Sequence, residues 1–146
     1  MRAFQFPLRQ ALEWRRTQMG LEENKMRQLA AILEQMALDA VKLDMVKARA
    51  EVAVSQAAVV EAGDLWALAS YRQRLIAELQ ALARRRAEGE KQLAAQRQKV
   101  LEAQRQCRLL EKLEQRRHAE WRRAADKEVE DLAAESFLAR WSRRAD

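Results

Sequence analysis

The sequence predicts an all-α protein in which two long helices form an antiparallel coiled-coil hairpin, with the second helix longer than the first. Composition is the first indication, because the 146 residues include only three Gly and one Pro while 34% are charged. Such a composition is typical of long helices. Apolar residues also recur at alternating spacings of four and three, which is the period of a coiled-coil seam. Finally, Gly63 and Asp64 interrupt that pattern near the middle of the chain.

Helix one is expected over about residues 8–60. Pro7 suits its start, because the first helical turn needs no N–H donor. Phe4 and Phe6 precede it in a short extended lead-in. Most seam positions of helix one are apolar, namely Leu8, Leu12, Met19, Met26, Leu29, Leu33, Met36, Ala40, Leu43, Ala50, Val54 and Ala57. The polar exceptions are Arg15, Glu22 and Lys47.

A turn is expected over about residues 61–64. Gly63 can adopt the left-handed conformation that ends many helices, and Asp64 can cap the next helix. Helix two then covers about residues 65–141, so residues 1–146 form a single coiled-coil domain. Its seam is apolar at Leu65, Leu68, Leu75, Leu79, Leu82, Leu93, Val100, Ala103, Cys107, Leu110 and Trp121. It is interrupted at Arg72, Arg86, Gly89, Gln96, Glu114 and Arg117.

Turning the chain at Gly63 brings the two seams into phase. The predicted layers pair Ala50 with Leu75, Met36 with Gly89, and Leu33 with Leu93. Several layers set a large side chain against a small one, as interdigitation requires. In this register Leu8 lies opposite Arg117, so the end of helix two extends beyond helix one.

That overhang is expected to bind a partner, because a lone helix is only marginally stable in water and exposed aromatic side chains often mark interaction surfaces. The predicted partner-binding residues at this end are Phe4, Phe6, Arg116, Arg117, Trp121, Arg122, Arg123, Phe137 and Trp141. Near the turn, Trp66 and Tyr71 are expected to form a second partner surface. An alternative is that the Phe4 and Phe6 lead-in packs on Trp121 and covers part of the overhang.

The net charge of +6 is unevenly distributed. Residues 84–127 hold fourteen basic and seven acidic side chains, and four acids follow without a base at Glu128, Glu130, Asp131 and Glu135. A basic stripe can attract nucleic acid, acidic lipid or an acidic protein, although it can also be a solvated helix face. Two alternative functions therefore remain open. One is a nucleic-acid-binding rod, which the interleaved acids disfavour, and the other is a structural spacer that dimerises in parallel.

Residues suited to catalysis or cofactor binding are scarce. His118 is the only histidine and has no cysteine cluster nearby, and Cys107 is the only cysteine. The three glycines are too widely spaced to form a phosphate-binding loop. We therefore expect no catalytic, metal or cofactor residues, no small-molecule substrate and no enzymatic activity. A lone cysteine suits a reducing cytoplasm, and neither a signal peptide nor a bilayer-spanning apolar run is evident.

Four segments of the chain contain motifs that point to one protein family. Residues 108–117 (RLLEKLEQRR) resemble the pattern K-x-L-E-K-L-x-E-R-R, with Arg and Gln replacing Lys and Glu. Residues 128–133 (EVEDLA) are similar to a segment of the type E-L-D-E-x-A. Residues 4–15 resemble F-x-F-x-L-x-x-L-L-x-x-R, with Ala at one Leu position, and Tyr71 and Leu75 look like Y-x-x-x-L. In all four segments the chain resembles the FliJ family of flagellar export chaperones.

This resemblance implies a non-enzymatic component of the flagellar type III export apparatus, needed for flagellum assembly and motility. Family members look like the two-helix stalk of rotary ATPase gamma subunits. The partners it implies are the export ATPase hexamer, the export gate protein and the export chaperones. It also implies a cytoplasmic protein, peripheral on the cytoplasmic side of the membrane at the flagellar base. We expect a monomer or weak self-association.

Overall fold

The computed structural model describes residues 3–145 and contains two α-helices. Helix α1 spans Arg9–Ser55 and helix α2 spans Ala62–Ala145, so the second helix is the longer. No strand occurs in residues 3–145. The two helices contact each other through side-chain hydrogen bonds and ion pairs. The prediction of an all-α chain with two helices and a longer second helix is therefore confirmed.

The face that each helix buries follows the predicted seam. In α1, every seam position from Leu12 to Val54 is buried or half-buried, including the three polar exceptions. In α2 the same holds for every seam position from Leu75 to Glu114. Alternating spacings of three and four place these residues on one side of a helix, so the period alone determines which face is covered.

The turn lies earlier in the chain than predicted. Helix α1 ends at Ser55 and α2 already begins at Ala62, so the link is 56–61 rather than 61–64. Ser55 donates a hydrogen bond from its hydroxyl to the carbonyl of Val52 at 2.9 Å, an interaction that competes with helical pairing. The β-branched Val59 and Val60 follow, and such residues fit a helix less well than straight-chain ones. The link between the helices thus contains two residues of low helix propensity, and α1 has ended before Gly63 is reached.

Gly63 therefore does not have the role predicted for it. It lies in the first turn of α2, and no described residue has a positive φ angle. Asp64 also differs from the prediction, because it lies inside the helix instead of at its capping position. Its carboxylate accepts a hydrogen bond from the Glu61 amide at 3.2 Å, while the Glu61 carbonyl accepts one from the Asp64 amide at 3.1 Å. An acid in the first turn can thus satisfy a free amide at the helix start by reaching backwards.

The chain divides into two compact units. The turn unit comprises Leu21–Leu101, and the terminal unit comprises the described parts of Met1–Gly20 and Glu102–Asp146. In the turn unit, an ion pair joins Glu51 to Arg72 with 3.0 Å between Oε1 and Nε. In the terminal unit, Arg16 Nη2 lies 3.1 Å from Glu111 Oε1.

The pairing of the helices in the turn unit differs from the predicted layers. Gly89 was expected opposite Met36, but its open side faces Leu33. A Cβ atom added to Gly89 would lie 2.7 Å from Cδ2 of Leu33 and within 4 Å of no atom of Met36.

A polar layer interrupts the seam of the turn unit. The buried Gln96 amide donates to the backbone carbonyl of Glu22 at 3.0 Å and also to the Glu22 carboxylate. The hydrogen bond from Gln96, helped by Lys25, lowers the pKa of Glu22 below its ordinary value. Two of the polar residues on the predicted seam thus satisfy each other, which specifies one pairing of the helices.

Alanine substitutions at Gly20 and Gly89 are expected to have different effects. Gly20→Ala should raise the free energy of unfolding by about 0.5–1 kcal/mol, because alanine favours a helix interior and the new Cβ meets no atom within 4 Å. The free energy of unfolding of Gly89→Ala should be lower than that of Gly20→Ala by about 1 kcal/mol or more, since Leu33 must move to make room for the new Cβ atom. Urea unfolding followed by circular dichroism measures both.

A double-mutant cycle provides the control for this comparison. In a Leu33→Ala background the obstacle is gone, so Gly89→Ala should stabilise the chain about as much as Gly20→Ala does. Equal gains from both glycines in the wild-type background would show that Gly89 and Leu33 are not in contact.

Candidate protein-binding surfaces

The lead-in before α1 folds against α2 in the terminal unit. The ring of Phe4 lies 4.9 Å from that of His118 in an edge-to-face arrangement at 89° and 5.9 Å from that of Trp121. Phe6 is only 5% exposed, so its ring is part of the core of this unit. The Phe6 carbonyl accepts a hydrogen bond from the Arg9 amide at 3.2 Å, which leads the chain into the helix.

Phe6 therefore has to be removed from the predicted partner-binding set, because a buried ring presents no surface to a partner. Packing of the lead-in on Trp121 was the alternative left open by the sequence, and it is the arrangement found. Phe4 and Trp121 remain half-buried, so each still offers part of its ring.

Phe4, His118 and Trp121 form an aromatic cluster. The rings of His118 and Trp121 are 5.7 Å apart, as expected for neighbours three residues apart on one helix face. Next to the cluster is a groove of about 410 Å³ lined by Phe4, Arg9, Glu114, Gln115 and His118. Sequence reasoning gave His118 no role. Its spacing from Trp121 was the signal that could have identified it.

Four arginines lie on α2 in this part of the chain, namely Arg116, Arg117, Arg122 and Arg123. Arg117 is four residues before Trp121 and Arg122 is four residues after His118, so these two flank the cluster on the helix surface. All four side chains are exposed. Among the described residues none of them takes part in an ion pair. Aromatic area beside unpaired guanidinium groups is a combination enriched in protein interfaces. The structure therefore brings Phe4, Trp121 and the four predicted arginines into one unit.

The last part of α2 carries a further exposed surface. Ala125 is the last buried residue among those whose burial is described, and every side chain from 126 to 144 is exposed. We refer to residues 126–144 as the tail. Phe137 is 68% and Trp141 66% exposed, and Val129, Leu132 and Leu138 are exposed as well. So much apolar area on an uncovered helix is unusual in an isolated protein and typical of a binding surface.

Around the start of α2, a second apolar surface lies in the turn unit. Trp66 is 74% exposed, while Tyr71 is half-buried. Tyr71 lines a groove of about 340 Å³ that we call the turn groove. Its walls are Ala50, Ala53, Val54, Ala57, Val60, Asp64, Ala67, Leu68 and Tyr71. Small alanine side chains leave this space open, so the groove can accept a large apolar side chain from a partner.

Sequence reasoning missed an apolar row on the outer face of α1. Leu38, Val41, Met45 and Val52 are all exposed. Their spacings of three, four and seven place them on one helix face, opposite the buried seam. The same periodicity that identified the seam could therefore have identified this row. The row is harder to recognise than the seam because it contains fewer apolar residues.

The described part of the chain contains neither a metal-binding cluster nor a membrane-spanning helix. No group of three or more His, Cys, Asp or Glu side chains is placed there to hold a metal ion. The helices in residues 3–145 also include none that could span a bilayer. Comparison of the chain with family models, curated proteins and solved structures gave no match in any of the three.

Proposed function

We propose that the chain is a non-enzymatic coiled-coil component of the flagellar type III export apparatus, similar to the FliJ family. The proposal rests on the end of the terminal unit, where an aromatic cluster, four exposed arginines without ion pairs and an exposed tail follow one another along α2. Two of the segments that resemble the family, residues 108–117 and 128–133, lie in or beside this surface. The surface is suited to protein binding because it exposes both apolar and cationic side chains.

We also propose that the two helices run antiparallel as a hairpin. In the turn unit, Glu22 contacts Gln96, Leu33 faces Gly89 and Glu51 pairs with Arg72. Partners on α2 thus come earlier in the chain as those on α1 come later, which is the order expected of an antiparallel pair. The Gly89 and Leu33 cycle described above tests one of these contacts directly.

The proposed partner of the terminal unit is the export ATPase hexamer. A stalk that enters a ring needs a helix that stands free of its neighbour, and the tail has that property. Guanidinium groups suit an acidic ring lining, because they form bidentate pairs with carboxylates. Trp121 adds aromatic area four residues after Arg117 on the same side of the helix, and Trp with Arg is the residue combination found in many binding hot spots.

The turn unit is the proposed contact to the export gate protein, through Trp66 and the turn groove. Export chaperones are the third proposed partner, and the outer row of α1 is available to them as a helix-binding face. The location implied by these partners is the cytoplasmic side of the cell membrane at the flagellar base.

Truncation after Lys127 removes all but the first two residues of the tail, and it is expected to weaken assembly of the ATPase strongly without unfolding the rest of the chain. Every side chain described in the deleted segment, 128–144, is exposed, and the aromatic cluster is kept. The shortened chain should therefore retain its thermal midpoint while its stimulation of the purified ATPase falls at least about tenfold. Charge reversal of Arg122 and Arg123 to Glu should cause a comparable loss.

Arg84→Glu with Arg85→Glu is the matched control, since it makes the same charge change at exposed positions in the turn unit. This control should stimulate the ATPase as well as the wild type. If the truncated chain supports assembly fully, the ring contact lies elsewhere and the tail is better assigned to chaperone docking. Duplex DNA binding that falls steeply with salt would instead favour the nucleic-acid alternative.

A further inference from the structure

The tail has an unusual order of charges along its length. Residues 126–135 contain five acids and one lysine, whereas residues 136–144 contain three arginines and no acid. All of these side chains are exposed. A helix whose first half is acidic and whose second half is basic is complementary to a second copy of itself that runs in the opposite direction. The same helix repels a copy that runs in the same direction.

We propose that the tails of two copies of this chain pair antiparallel through a seam formed by residues 126, 130, 133, 137, 140 and 144. These positions follow alternating spacings of four and three, so they lie on one face of α2. They are Asp126, Glu130, Ala133, Phe137, Arg140 and Arg144. The seam is symmetric about Glu135 in chain position, which is the condition for a two-fold antiparallel pair.

In this pair each layer joins complementary side chains. Phe137 of one copy lies opposite Ala133 of the other, so a large ring meets a small side chain in the two central layers. Glu130 lies opposite Arg140, and Asp126 lies opposite Arg144. Each pairing occurs twice because of the two-fold symmetry, which gives four interchain ion pairs around two apolar layers.

The residues that flank the seam are compatible with the same arrangement. On one side, Lys127 lies beside Trp141 of the other copy, where an ammonium group can contact the ring face. On the other side, Val129 lies beside Arg143. Glu128, Asp131 and Glu135 point to the opposite face of the helix and remain in water, so no two acids are brought together.

A parallel pair on this seam is excluded by the same charges. It would place Asp126 against Asp126, Glu130 against Glu130, and each seam arginine against its own copy. Packed helices lie about 8–10 Å apart, which is comparable to the screening length of about 8 Å in physiological salt, so these repulsions are only partly screened. Charge therefore selects the antiparallel partner, as it does in other coiled coils.

This pairing is a property of the chain alone and does not depend on the proposed export function. It has a consequence for that function, because it covers Phe137 and Trp141. A chain paired through its tail cannot present these two rings to another protein. Self-association and partner binding at the tail should therefore compete.

Sedimentation of the full chain over a range of concentrations tests the proposal. The wild type should form a concentration-dependent dimer that weakens as salt rises. Asp126→Arg with Glu130→Arg makes the seam wholly basic, and Arg140→Glu with Arg144→Glu makes it wholly acidic. Each double variant alone should lose at least about tenfold in dimer affinity, and an equimolar mixture of the two should regain it as a heterodimer.

Glu128→Arg with Asp131→Arg is the matched control, since it makes the same charge change in the same tail on the opposite helix face. This control should dimerise like the wild type, and circular dichroism should show equal helix content for all variants. A wild-type chain that stays monomeric at every concentration would overturn the proposal. So would a mixture that fails to pair, or a control that weakens the dimer as much as the seam variants do.

Discussion

Leu12→Ala is expected to lower the free energy of unfolding by about 2–5 kcal/mol, which is the usual cost of truncating a fully buried leucine. Leu12 is 2% exposed and belongs with Phe6, Cys107 and Ala125 to the buried residues of the terminal unit. Few side chains surround a buried residue between only two helices, so little can move in to fill the cavity that the truncation leaves. The side chains that contacted the lost methyl groups therefore lose those van der Waals contacts.

Leu109→Ala is the matched control, because Leu109 is 60% exposed in the same unit. The same chemical change there should alter stability by no more than about 0.5 kcal/mol. Thermal and urea unfolding followed by circular dichroism measure both variants. Equal destabilisation by the two would mean that Leu12 does not lie in the core of this unit.

Periodicity made the buried faces predictable from sequence. The positions from Leu12 to Val54 in α1, and from Leu75 to Glu114 in α2, were assigned to the seam and are covered. A repeat of three and four residues fixes a helix face whatever the neighbours are. The hydrogen bond between the polar seam residues Gln96 and Glu22 was not predictable in this way, because periodicity does not show which residues on the two helices meet.

The turn was not predictable in the same way, because it depends on competing local preferences. Gly63 with Asp64 was a good capping signal, yet α1 ends at Ser55 and Gly63 lies inside α2. The residue that faces Gly89 is likewise Leu33, where Met36 was expected.

Residues outside the periodic segments were also hard to assign to core or surface. Phe6 was expected on a binding surface and is buried, because a lead-in without a repeat gives no indication of which way it folds. His118 was expected to have no role and contacts Phe4. The tail, by contrast, was identified as uncovered from the excess length of helix two alone.

Trp66→Ala is expected to weaken binding of the chain to the cytoplasmic fragment of the export gate protein by about 30-fold. That factor corresponds to the roughly 2 kcal/mol that defines a binding hot spot. Trp66 is 74% exposed beside the start of α2, so truncation should remove an anchor without cost to stability. Tyr71→Ala should act differently, because Tyr71 lines the turn groove and its loss changes the shape of the groove.

Calorimetric titration of the gate fragment measures both variants, with assembly of the export ATPase as the second readout. Trp14→Ala is the matched control, since Trp14 is an exposed tryptophan of the terminal unit whose ring lies 4.8 Å from the guanidinium carbon of Arg15. It should leave the gate affinity unchanged. Trp66→Ala and Tyr71→Ala should lower gate affinity while ATPase assembly stays at the wild-type level, because the two partners are assigned to different units. Equal loss of gate binding and ATPase assembly would refute that division, and unchanged gate binding would exclude the turn groove as the gate contact.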